Sequence, residues 1–114
     1  MMMKIVHAGE VPEQPNPHEV SVRELHSTEH VQVVMITLAT GESLKLHATP
    51  VDAFFYGLEG QGKVKIGDET ATMGVDDLAD SPARIPHILW NDGETPFRFL
   101  VVKTPRQKEA SRLL

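Results

Sequence analysis

GESLKLHATPVDAFFYGLEGQG, residues Gly41–Gly62, is the stretch whose reading decides the fold. Gly41-Glu42-Ser43 is a polar link. From Leu44 to Thr49 the residues alternate, which predicts a strand with Leu44, Leu46 and Ala48 on one face and Lys45, His47 and Thr49 on the other. Pro50-Val51-Asp52 interrupts it, because proline has no N–H to give to a ladder. Ala53–Glu59 predicts a second strand, with Phe54, Tyr56 and Leu58 on one face, and Gly60-Gln61-Gly62 turns the chain. Two strands alone are marginal in water, so the rest of the chain must complete a sheet.

On the N-terminal side, Val31–Thr40 is the strongest strand. Its centre, Val33-Val34-Met35-Ile36, is apolar on both faces, as in a strand covered on both sides. Val20–Leu25 predicts a further strand near an edge and Lys4–Val6 a short one. The region between carries Pro12, Pro15 and Pro17 and reads as an extended arm. On the C-terminal side, strands are expected at Lys63–Gly67, Glu69–Met73, Leu78–Ala83, His87–Trp90 and Phe97–Lys103. Gly67-Asp68 is a tight turn between the first two. Gln107–Leu114 is rich in helix formers but too short to be a stable helix alone. About nine short strands separated by turns indicate an all-β sandwich or barrel.

The 114 residues suit one domain, with 40% hydrophobic content sufficient for a core. The expected division is an arm at 1–19, a barrel at 20–106 and a tail at 107–114. A net charge of −5 with scattered basic residues argues against nucleic-acid binding. The absence of cysteine excludes disulfides and thiolate metal sites. The N-terminal sequence has neither a signal peptide's apolar core nor a membrane span, so no membrane association and a cytoplasmic location are expected.

Two spaced patterns make the chain resemble the cupin superfamily, as a small protein with a single conserved barrel. The family's first motif, G-x5-H-x-H-x3,4-E-x6-G, is met by Gly41, His47 and Gly60. The second, P-x-G-x-P-H-x3-N, is met by Pro82, Pro86, His87 and Asn91, with Arg84 where glycine is usual. The resemblance implies one jelly-roll β-barrel, the double-stranded β-helix. It also implies metal ligands at His47 and His87. The family's second histidine falls on Thr49, and its glutamate on Ala53 or Phe54 according to spacer length, so half of the ligand set is replaced.

Two imidazoles suit one weakly held divalent transition metal (Zn, Fe, Ni, Mn or Cu) or, with so few ligands, none. Asp52 is the nearest carboxylate but sits in the turn. Met35, Thr49, Phe54, Tyr56 and Trp90 are the candidate lining of a ligand pocket around the two histidines. His7 and His18 are expected in solvent, as is Lys45, and Asp76, Asp77 and Asp80 in a solvated turn. His26 and His30 fall between strands, where their spacing of four does not make a metal pair. The expected function is a small-molecule-binding cupin with a degenerate or absent metal site. The alternatives are a metal-dependent dioxygenase, isomerase or decarboxylase using His47 and His87, or a sensor or accessory module without chemistry. The doubly apolar strand and the proline-rich arm suggest a homodimer.

Overall fold

A computed structural model describes residues 2–114. It contains ten strands: β1 Ser21–Ser27, β2 Gln32–Leu38, β3 His47–Ala48, β4 Asp52–Glu59, β5 Gly62–Ile66, β6 Glu69–Met73, β7 Leu78–Ser81, β8 His87–Trp90, β9 Phe97–Thr104 and β10 Arg112–Leu113. They form two five-stranded antiparallel sheets, ordered β1-β2-β9-β4-β7 and β10-β3-β8-β5-β6. The all-β jelly-roll barrel expected from the sequence is the fold observed. No helix among the described residues is long and apolar enough to cross a membrane.

Alternation along the strands builds the core between the sheets. Strand β9 turns Phe97, Phe99 and Val101 inward, β2 turns Val34, Ile36 and Leu38, and β4 turns Ala53 and Phe55. Phe55, Phe97 and Phe99 are at most 1% exposed. Burying each ring is worth about 1.5–3 kcal/mol relative to exposure. The Ile66–Glu69 pairing closes the β5–β6 hairpin through Gly67-Asp68, as the sequence predicts, with Gly67 at φ +59°.

Gly57 is held by steric exclusion. A Cβ there would run into the Gly74 carbonyl oxygen, and the β4–β9 register shifts just beyond it, between Gly57 and Glu59. Arg84 occupies the left-handed region, at φ +69°. This is the conformation glycine adopts without penalty, which explains the family's usual residue at that position.

Two sequence expectations are corrected, and the tail takes a form the sequence did not indicate. Lys4–Val6 forms no strand, and its residues are exposed; a 3-10 turn follows at Ala8–Glu10. Leu44–Thr49 is not one continuous strand. Ser43 bridges to Trp90, the chain leaves the ladder, and only His47–Ala48 rejoins it, so Leu44 and His47 are both buried despite opposite parity. The tail gains no helix. Arg112 and Leu113 pair with Ala48 and His47 as an edge strand, because tertiary pairing satisfies backbone groups that a single helical turn would leave open.

The arm folds onto the barrel. Arg23 Nη1 donates to the carbonyl oxygens of Ala8, Gly9 and Val11 at 3.4, 2.7 and 3.2 Å. Asn16 Nδ2 donates to the Gln14 and Val20 carbonyls while its Oδ1 accepts the His18 N–H at 3.0 Å. These bonds fix Pro15-Asn16-Pro17-His18 against the open end of the barrel.

Candidate functional site

Between the sheets lies a cavity of about 380 Å³, near the lower end of ligand-site volumes. The arm contributes Gln14 to His18, the two sheets contribute Val34, Ile36, Phe55, Val101 and Lys103 with Thr49, His47 and His87, and the tail contributes Gln107, Ala110, Ser111 and Leu113. Both termini therefore help to enclose it.

His47 and His87 face each other across the β3–β8 pairing, with their Nε2 atoms 2.9 Å apart. They are 8% and 2% exposed. Their partners set the tautomers. His47 Nδ1–H donates to the Lys45 carbonyl at 2.7 Å, which leaves Nε2 as an acceptor in the neutral ring. His87 Nε2–H then donates to it, and His87 Nδ1 accepts from the Ser81 hydroxyl at 2.6 Å. Thr49 Oγ1 lies 3.2 Å from His87 Nε2. Phe55 meets the His87 ring edge-on, with centroids 5.2 Å apart.

His18, expected in solvent, belongs to this cluster. Its ring lies 4.7 Å from that of His47, and its Nδ1 accepts the Lys45 N–H at 2.8 Å, leaving Nε2–H as its remaining donor. One residue's backbone thus fixes two histidines. Burial, followed by the neighbouring His47, holds His87 down to about 3. His18 is held at about 4, again by burial first and then by His47. His47 is lowered by burial, partly opposed by its bond to the Lys45 carbonyl. All three imidazoles are neutral at neutral pH.

Lys103 is the cavity's formal cation. It shares the inward parity of Phe97, Phe99 and Val101, and it pairs in register with Gln32 on β2 and Ala53 on β4. Its Nζ donates to Gln107 Oε1 at 2.7 Å. Burial lowers its pKa, while Glu24 pulls the other way. Gln32 gives its Nε2–H to Glu24, and its Oε1 is buried without a partner at the cavity wall. The period-two pattern that marks β9 also marks Lys103 as an inward lysine; that signal was available in the sequence.

Of the five pocket residues expected from sequence, Thr49 lines the cavity and the other four do not. Phe54, Tyr56 and Trp90 alternate with buried Ala53, Phe55 and Leu89 and so take the outer faces of β4 and β8. Tyr56 donates to Asp76 Oδ1 at 2.7 Å. Met35 is buried, but on the face of β2 opposite Val34 and Ile36, with its sulfur 3.9 Å from Arg98 Nη1. The alternation is as predicted for β4; the inward face is the other one, carrying Phe55. Asp52 accepts the Ala83 N–H at 2.8 Å and so ties down the loop before β8. Asn91, at the end of the second motif, is 2% exposed and bonds the Leu38 and Thr95 carbonyls, a role in holding the two sheets together.

The donor set is incomplete for a metal. Two nitrogens bound at about 2.1 Å and at right angles would stand about 3.0 Å apart, so the histidine pair suits a two-nitrogen clasp. No third His, Cys, Asp or Glu joins them in a metal-holding group among the described residues. The inward position at the motif's glutamate is Ala53, and the side chain paired with it on β9 is the cationic Lys103. The residues present do not fit the family's four-ligand metal centre.

A family model described as cupin domain matches residues 34–103, more than half of the chain. With the two motifs and the double-sheet barrel, this makes the chain a member of the cupin family. Among solved structures it is similar to TT1209 from Thermus thermophilus, with 28% identity, a TM-score of 0.79, and coverage of 91% of this chain and 99% of that one. It is also similar to the polyketide cyclase RemF from Streptomyces resistomycificus (22% identity, TM-score 0.85, 99% and 86% covered). A third is a predicted oxalate decarboxylase from Thermotoga maritima (21% identity, TM-score 0.80, 90% and 100% covered). The last two likenesses speak to the fold alone. No curated protein matches the chain significantly.

Proposed function

We propose that this protein is a small-molecule-binding cupin that takes one ligand into the barrel cavity without a resident metal centre of the family type. The observation that carries the proposal is the replacement at the glutamate position: Ala53 has no donor atom, and Lys103 pairs with it in register. An ammonium near the histidine pair repels a divalent cation, whereas a carboxylate would attract one. What remains is a cavity of about 380 Å³ with aliphatic and aromatic walls, three neutral imidazoles and hydroxyls from Thr49 and Ser111. Such a lining recognises an organic ligand through apolar contact and a few directed hydrogen bonds. Calorimetric titration of the EDTA-treated protein with Zn, Ni, Mn and Fe(II), with elemental analysis of the protein purified without added metal, tests the proposal. Stoichiometric metal retained at submicromolar affinity would refute it.

The second reading, a metal-dependent dioxygenase, isomerase or decarboxylase, is favoured by the 2.9 Å separation of the two Nε2 atoms. It predicts metal-dependent turnover that disappears in His87→Ala, while the binding reading predicts a folded variant with modestly changed affinity. We also propose a homodimer in the cytoplasm; Leu46, Leu113 and Leu114, exposed along the β3–β10 edge, are apolar surface that a second copy would cover. Sedimentation equilibrium tests the assembly.

A further inference from the structure

We infer that the cavity's ligand is a small monocarboxylate with an apolar body, its carboxylate held by Lys103 and its body by the wall of Val34, Ile36, Phe55 and Val101. The inference rests on the ligand-binding reading above and specifies its chemistry.

Lys103 is unusual for its place. Lysine is rarely kept inside unless paired, yet here it occupies the inner face of the sheet's central strand, in series with two buried phenylalanines and a valine. It makes no ion pair among the described residues. Of its three N–H donors one is directed to Gln107 Oε1. The cavity lining contains no aspartate or glutamate. Glu24 lies outside that lining and is exposed, and its Oε2 already accepts the Gln32 amide. A half-buried ammonium without a protein counter-ion is costly, and an anionic ligand offsets that cost. Three other polar groups can donate to the carboxylate, while Gln32 Oε1 at the cavity wall is an acceptor. His18 is left with an Nε2–H donor, and Thr49 and Ser111 supply hydroxyls. The depressed pKa of Lys103 is what an unpaired ammonium in this setting shows, and a bound carboxylate would raise it. A single formal charge beside neutral imidazoles matches a monoanion, and the aliphatic wall matches a body that inorganic anions lack.

The test uses the native full-length protein in EDTA and three probes: hexanoate, its uncharged isostere hexanamide, and inorganic phosphate. Binding is read by calorimetry and by shifts of the Val34, Ile36 and Val101 methyl signals. Hexanoate is expected to bind on the order of tenfold more tightly than hexanamide, the gain from a charge-assisted hydrogen bond in a partly dry site. Lys103→Met should erase that preference, and Lys103→Arg should keep it. Should Lys103→Met fail to fold, the acid–amide comparison on the native protein still decides. Equal affinity for acid and amide overturns the carboxylate inference and leaves the ligand-binding reading standing. Phosphate binding as tightly as hexanoate overturns the requirement for an apolar body. Absence of binding by all three overturns the inference and the ligand-binding reading together.

Discussion

Acidification should destabilise this barrel through His87 in a way that a glutamine at the same position abolishes. In the unfolded chain the imidazole titrates near 6.5, while in the barrel burial and the adjacent His47 hold it at about 3. Above pH 6.5 both states are neutral and the group contributes no pH dependence. Below it the unfolded chain takes up a proton that the native state refuses, so stability falls as pH falls, by at most about 1.4 kcal/mol per pH unit. The loss continues until the folded value is reached. From pH 7.5 to 4.5 the contribution amounts to roughly 2.5 kcal/mol, a substantial fraction of a small domain's stability. His87 is 2% exposed, so little solvent screening reduces the effect. Urea unfolding of the native protein and His87→Gln, both in EDTA, isolates it, because carboxylate titration is common to the two. The variant should be the less stable protein at pH 7.5, having lost the Ser81 and His47 bonds. The difference should narrow by about 2–3 kcal/mol at pH 4.5. Parallel stability curves would refute the neutral buried pair.

Restoring the family's ligands as Ala53→Glu with Thr49→His should raise affinity for Zn or Mn on the order of a hundredfold or more, read by calorimetry on the folded variant. The same experiment with Phe54→Glu in place of Ala53→Glu should leave affinity unchanged, since position 54 faces outward; equal gains would show the face assignment of β4 to be wrong. Arg84→Gly should raise the melting temperature slightly, by relief of about 1 kcal/mol of left-handed backbone strain less the greater freedom of glycine in the unfolded chain. A clear loss of stability would point to an interaction of the arginine side chain instead. Trp90→Ala should leave hexanoate affinity within about twofold, because the indole lies on the outer face of β8, whereas Phe55→Ala should cost about 3–5 kcal/mol of stability by emptying the core against His87.

The sequence by itself determined the architecture. Alternation in β2, β4 and β9, glycine at the β5–β6 turn and the two spaced motifs are local signals, and local signals fix strands and turns. They also located His47 and His87, whose motif positions put them in neighbouring strands. Alternation states which residues share a face but not which face is inside, and so Phe54, Tyr56 and Trp90 were placed in a pocket that belongs to Phe55. That choice is made by packing between the two sheets, where the inward row of β4 meets the inward row of β8, Phe55 against His87. The departure of Lys45 and Leu46 from the pairing with β8 depends on where β8 offers partners, which no pattern within 44–46 encodes. His18 and the tail were invisible for a related reason. Each reaches the site through contacts distant in sequence, His18 through the Lys45 backbone and Arg112-Leu113 through β3. Lys103 lay between these cases: its parity was legible, but its meaning came only when the structure paired it with Ala53 and set it in a cavity lined by no carboxylate.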